Sequence, residues 1–137
     1  MLDYYAYMDA WNRRDVATVL GFMSPDIVYH DYAIHEEYRG HDGVTQFIVA
    51  ADDIASNFRF DPISFVTDGK CWASEYTISG VADVGRSKVP ATGQAFKVRG
   101  ASFGTLDADG RILTNNDYWN LFDMMMQVGM LPPPATP

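Results

Sequence analysis

The sequence predicts an α+β domain in which helices pack on one face of a curved antiparallel sheet, and three observations predict it. Apolar residues recur at helical spacing as far as Ala51. From Phe58 onward the period shortens to that of strands. Two Asp-Gly turns, TDGK and DADG, then divide the second half into hairpins.

The elements follow in order. Residues 2–13, LDYYAYMDAWNR, form a helix whose apolar face carries Tyr4, Tyr7, Met8 and Trp11 at i, i+3, i+4 and i+7. Asp15 caps a second short helix, Val16 to Met23, which SPD ends. DIVYHDYAI, residues 26–34, is the opening strand, with Asp31 in its middle. HEEYRGHDG is polar and Gly-bearing, hence a loop. HDGVTQFIVAADDIA is a third helix, capped by Asp42, with Val44, Phe47, Ile48 and Ala51 on one face. Residues 58–81 and 94–122 give two pairs of strands, separated by the loop GRSKVPATG. DMMMQVG makes a last helical turn, and residues 131–137, LPPPATP, form a Pro-rich tail that cannot continue it.

At 137 residues, with no internal repeat or linker, residues 1–137 read as one domain. Hydrophobic residues are 47% and charged residues 20%, an ordinary globular balance. The net charge of −8 argues against nucleic acid and anionic membrane as partners, because binding phosphate takes clustered Lys and Arg. Cys71 is the single cysteine, so no internal disulfide is available, and beside Trp72 it reads as packing. No apolar run reaches membrane-spanning length and no signal-type segment opens the chain; the expected location is cytoplasmic.

Alternation assigns the strand faces. Trp72, Ser74, Tyr76 and Ile78 share one face, with Glu75 opposite. Phe96, Val98 and Leu106 share a face with Gly100, Ser102 and Gly104, and those small residues suggest a cavity. Leu113, Asn115, Asp117 and Trp119 share a face of the last strand. Periodicity leaves open whether that face or the one carrying Tyr118 points inward. Arg99 and Glu75 fall on outward faces, where they can pair across strands or contribute to a dimer interface.

Two stretches resemble a known superfamily. AWNRRDVATVLGFMSPDIVYHDYA resembles the opening of the NTF2-like (cystatin-like) superfamily, a cone-shaped curved antiparallel sheet wrapped around an N-terminal helix, with helices on its concave face. The ending GASFGTLDADGRILTNNDYWNLFDMMMQVGMLPPP resembles the SnoaL-like polyketide cyclase branch, which tends to carry RDYWD and QLG where this chain has NDYWN and QVG. The mechanistic template is ketosteroid isomerase. Its tyrosine before an N-x-x-D anchor and its aspartate base late in the first strand match Tyr7 and Asp31 here. Its third member, a protonated acid, falls in RGASF, where the nearest equivalent is Ser102. The ending also resembles limonene epoxide hydrolases. Asp117 matches one of their aspartates, but Gly100 and Ser102 stand where their Arg-x-Asp pair would be.

The resemblance implies an apolar pocket with Asp31 as base, Asp117 as second acid/base group and Tyr7 as donor to a developing enolate oxygen. Trp72, Tyr76 and Trp119 would hold a flat apolar ligand, with Trp11, Phe96, Ser102 and Asn115 completing the lining. That set suits isomerisation or aldol cyclisation of a small apolar or polycyclic carbonyl compound and needs neither metal nor organic cofactor. A homodimer through the convex sheet face is the family arrangement. Other readings stand beside these. Asp31 equally suits a loop-capping carboxylate, and Tyr7 a core tyrosine. Asp123 suits a helix N-cap, with a catalytic role in reserve. The pocket also suits a non-catalytic carrier of a small ligand or, less well, an epoxide hydrolase. His30, His35 and His41 lack the spacing of a metal site.

Overall fold

Asp3 starts the first helix by accepting the Ala6 amide at 3.0 Å, and α1 runs Tyr4–Asn12. Tyr4, Tyr7, Met8 and Trp11 are all buried, as their spacing predicts. Asp15 caps α2, Val16–Gly21, through the Thr18 amide. The helix stops earlier than expected, and the chain extends at once into β1, Met23–Asp31.

Residues 36–39, read from sequence as loop, form the short edge strand β2, Glu36–Arg39, antiparallel to β1. Its polar side chains hid it, because an edge strand has little apolar surface to bury. α3 spans Gly40–Ala51, and Asp42 sits in its first turn instead of capping it; Arg39 holds the cap position without a side-chain capping bond to the helix. Val44, Ile48 and Ala51 are buried and Phe47 partly so.

The long strands are β3, Ser56–Thr67, β4, Cys71–Val81, β5, Ala95–Leu106, and β6, Ile112–Trp119; α4, Leu121–Gln127, follows. Both hairpin turns are organised by an aspartate. Asp68 accepts the Lys70 and Cys71 amides, and Asp107 the Asp109 and Arg111 amides. Gly69 and Gly110 supply the positive φ the turns need, 88° and 78°. Asn120, not Asp123, caps α4, accepting the Asp123 amide at 3.0 Å.

The sheet order is β2-β1-β6-β5-β4-β3. The α+β architecture is the expected one, with one pair of strands, β1 and β6, running parallel. The structure, a computed structural model, describes residues 1–85 and 89–132. Residues 86–88 of the predicted loop and 133–137 of the Pro-rich tail lie outside the described residues. No helix among the described residues is long and apolar enough to cross a membrane.

The NRRD segment fixes the helices to the sheet. Asn12 behaves as a strand partner: its Nδ2 donates to the Phe60 carbonyl at 2.7 Å and its Oδ1 accepts the Phe60 amide at 2.8 Å. Arg14 adds bonds to the Phe58 and Trp11 carbonyls and an ion pair with Asp52. Alternate residues of β4 and β5 face inward, and Trp72, Ser74, Tyr76, Ile78, Phe96, Val98 and Ser102 are all buried as alternation predicts. On β6 the register shifts beside Leu106, so Ile112 takes the buried place expected of Leu113.

The glycines of β5 do not leave the room their size suggested. A Cβ at Gly100 would lie 2.6 Å from the Tyr76 ring and 3.0 Å from the Trp119 Cβ. One at Gly104 would lie 1.8 Å from the Thr114 carbonyl oxygen and 2.6 Å from the Trp72 indole nitrogen. Aromatic side chains fill the space. Gly104→Ala, pressed on backbone, should therefore lower unfolding free energy by about 3 kcal/mol or more. Gly21→Ala, which meets nothing within 4 Å at the end of α2, should be neutral or stabilising by up to about 1 kcal/mol. Urea denaturation of the two variants checks both.

Candidate active site

The parallel β1–β6 ladder sets Asp31 directly beside Asp117. Both side chains are inward-facing, at 3% and 5% exposure, which settles the open question of the β6 face; Tyr118 points out at 53%. The two carboxylates nonetheless have different surroundings.

Asp117 is bound by three neutral side chains. Tyr29 donates to Oδ2, Ser102 to Oδ1 at 2.5 Å, and Asn115 Nδ2 to Oδ1 at 2.7 Å. Ser102 Oγ also lies 3.0 Å from the Tyr76 hydroxyl. A hydroxyl has one proton, so when Asp117 takes it from Ser102, Tyr76 is left to donate to Ser102. The result is a Tyr76–Ser102–Asp117 relay. Burial pushes Asp117 up to about 6; the bonds from Ser102, Tyr29 and Asn115 hold it from rising further, and the charge of Asp31 adds to the rise.

These groups line a cavity of about 20 Å³ with Tyr4, Tyr7, Met8, Trp11, Phe60 and Trp72. That volume accommodates about one water. Burial raises the phenols of Tyr7, Tyr29 and Tyr76 well above the usual tyrosine value, and the Asp117 charge raises them further. They remain protonated donors. Trp72 Nε1 is buried with no hydrogen-bond partner among the described residues, and the indole belongs to the cavity wall.

Asp31 is not in that wall. It ends β1 and organises the turn to β2, with Oδ1 accepting the Ala33 amide at 2.9 Å and the Ile34 amide at 3.2 Å. The Trp119 indole N–H donates to both of its oxygens, at 3.1 and 3.0 Å. Burial raises its pKa while the bonds from Trp119, Ile34 and Ala33 oppose the rise. This is the loop-capping geometry.

The expected site residues thus divide. Tyr7, Trp11, Trp72, Tyr76, Ser102, Asn115 and Asp117 meet at the cavity. Asp31 and Trp119 form a pair outside its wall. Phe96 lies elsewhere, with its ring over Gly80, whose Cβ would come within 3.1 Å of it. Sequence reasoning missed Tyr4, Met8, Tyr29 and Phe60. Tyr4 and Met8 were on the recognised helix face, and Tyr29 lies two residues before Asp31 on one strand face, which was the available signal. Phe60 shares the alternation that begins at Phe58, and pairing opposite the buried Ile78 on β4 sets its face. Asp123 stands in the first turn of α4. Among the described residues, no group of three or more His, Cys, Asp or Glu is placed to hold a metal ion.

A larger, open groove of about 480 Å³ lies on the outside of the sheet, between Tyr32, Ala33, Glu75, Arg99, Gly100, Ala101, Tyr118, Trp119 and Asn120. Arg99 pairs with Glu75 at 3.0 Å across strands, as their shared outward face predicts.

Solved structures of other proteins share this fold. A protein of ketosteroid isomerase-like fold from Catenulispora acidiphila, crystallised with trimethylamine, superposes with a TM-score of 0.80 at 20% identity, over 98% of this chain and 96% of that one. A protein from Xanthomonas campestris, proposed to be a polyketide cyclase, matches with a TM-score of 0.79 at 25% identity, over 91% and 93%. The curated protein Cyclase aurE of Calcarisporium arbuscula is 26% identical over 113 residues, 82% of this chain and 80% of that protein. The family model for the SnoaL-like domain matches residues 4–115, most of the chain, and the protein belongs to that family.

Proposed function

We propose that the chain is a cofactor-independent acid/base enzyme that isomerises or cyclises a small, mostly apolar carbonyl compound, with Asp117 as the base. One observation carries this reading: a carboxylate buried among neutral donors, poised near 6, forms the polar wall of an otherwise aromatic cavity. Membership of the SnoaL-like family and the likeness to a named cyclase support it.

In the proposed cycle Asp117 takes the proton from the carbon beside a carbonyl. The Tyr7 phenol donates to the enolate oxygen as charge develops there. The proton then returns to another carbon, giving an isomer. Alternatively the enolate carbon attacks a second carbonyl, whose oxygen takes the proton, and a ring closes. Asp31 acts at one remove, holding the end of β1 and Trp119 in place. Admission of a substrate displaces the side chains of α1, since Tyr4, Tyr7, Met8 and Trp11 all close the cavity and leave space for one water.

The same closeness favours a second reading, a small-ligand carrier without turnover, in which the Asp117 network is a buried structural element. Deuterium exchange at the carbon beside the carbonyl of a polycyclic enone, followed by NMR, separates the two. Exchange should occur with the wild type and fall by about 10²- to 10⁴-fold in Asp117→Asn. Asp31→Asn should lose less than about tenfold, as expected of an indirect role. Binding without exchange supports the carrier; loss confined to Asp31→Asn would return the base to Asp31.

The rate should climb with pH to a plateau, with its midpoint near 6, because only the ionised carboxylate accepts the proton. Stability should move the opposite way. Asp117 holds its proton more tightly folded than unfolded, so the neutral form favours the fold fully below about pH 4, and that contribution disappears as pH rises through about 6. The shift corresponds to about 3 kcal/mol. Denaturation at pH 4 and pH 8 should show Asp117→Asn gaining on the wild type by that order at the higher pH.

A further inference from the structure

We propose that Tyr29 is the positioning residue of the interior site, and that Asp117 Oδ2, the oxygen it holds, is the atom that receives the substrate proton. The inference rests on Asp117 acting as the base. Its first test needs no substrate, so its failure and the failure of the acid/base reading are separate results.

The two oxygens of Asp117 are not equivalent. A carboxylate oxygen offers about two acceptor positions. Oδ1 has both filled, by Ser102 Oγ at 2.5 Å and Asn115 Nδ2 at 2.7 Å. Oδ2 has one donor among the described residues, the Tyr29 hydroxyl. One acceptor position is therefore left over on Oδ2, in a carboxylate that is buried and forms part of the cavity wall. A substrate in that cavity transfers its proton there. The C–H bond breaks, an O–H bond forms on Oδ2, and the electron pair of the C–H bond passes to the enolate oxygen. Tyr29 keeps its own proton throughout, since burial and the Asp117 charge raise its phenol well above the usual tyrosine value.

The fold fixes Tyr29 from two directions. Its backbone partners Asn115 across the parallel β1–β6 ladder, as Asp31 partners Asp117, so Tyr29 shares a sheet face with the carboxylate it holds. Its ring lies 5.0 Å from that of Phe47 on α3 and 6.2 Å from that of Trp11 on α1. A ring held between two helices gives its hydroxyl one direction, and that direction fixes how Oδ2 presents its open position. The other titratable groups facing Asp117 are Tyr4 and Tyr7 on α1, Asp31 on β1 and Tyr76 on β4. Among the described residues none of these donates to Oδ2, and Tyr76 reaches Asp117 only through Ser102. All of them stay in place when the Tyr29 hydroxyl is removed, so a change at Tyr29 isolates one bond.

Carboxyl-carbon NMR of Asp117 tests the assignment on the full chain. The titration midpoint, near 6 in the wild type, should rise by about one pH unit or more in Tyr29→Phe, which keeps the ring and removes the donor. A ring-fluorinated tyrosine at position 29, a more acidic phenol and a stronger donor, should lower it. Packing alone gives no such opposite shifts. In the deuterium-exchange assay the pH–rate midpoint should follow the NMR midpoint, and Tyr29→Phe should lose about tenfold or more of its plateau kcat with KM little changed. A wild-type proton resonance far downfield, in contact with the Tyr29 ring and kept in Tyr76→Phe, checks the bond with no change at Tyr29. An unmoved midpoint in folded Tyr29→Phe, shifts of one sign in both variants, absence of that resonance, or a KM effect without a kcat loss would each overturn the assignment. The expected NMR shifts in a wild type that exchanges no proton would instead overturn the acid/base reading, with the Tyr29 bond left standing.

Discussion

A carboxylate taken out of water without a cation has to be solvated by neutral donors, and the centre of this protein is arranged around that requirement. Asp117 draws one donor from the first strand, Tyr29, one from the fifth, Ser102, and one from its own strand, Asn115. None is adjacent to another in sequence. Their convergence needs β1, β6 and β5 side by side, and it needs β1 parallel to β6. The same requirement leaves the carboxylate above its ordinary pKa, because neutral hydrogen bonds recover only part of the hydration lost.

Around that network the interior is filled by rings. Tyr4 stacks on Phe65, Trp11 meets Tyr29, Phe47 and Phe60 at inclined angles, and Phe60 lies edge-on to Tyr76. Rings this large fit inside a small domain because the facing strand gives way. Gly100 and Gly104 yield their side-chain volume to Tyr76, Trp119 and Trp72. Backbone and aromatic surface thus approach closely, and the cavity that remains is a slot beside the polar wall instead of an open hollow. α1, which closes the cavity, is clamped to β3 through Asn12 and Arg14.

Asp31 and Asp117 show how a shared register can separate two like residues. They are ladder partners on one face, yet one ends its strand and the other lies within it. At the strand end, backbone amides of the following turn are free to donate, and Asp31 takes two of them together with the Trp119 indole. Inside the strand the amides are committed to the sheet, so Asp117 depends on side chains. The first arrangement holds a turn. The second leaves a titratable group facing a cavity.

Much of this was legible in the residues themselves. Helical spacing identified the buried face of α1, alternation the inner faces of β4 and β5, and Asp-Gly pairs the two hairpins. These signals are local: each reflects a side chain's direction along its own element, which the backbone period dictates. The family resemblance likewise located the fold, and of the two aspartates it singled out only Asp117 lines the cavity. Tertiary structure decided the rest. It set β2 on the sheet edge, shifted the register that buried Ile112, filled the glycine gaps, and gave Asp117 and Asp31 their different partners. Each of those outcomes depends on which distant strand lies alongside, and a chain's own periodicity carries no record of its neighbours.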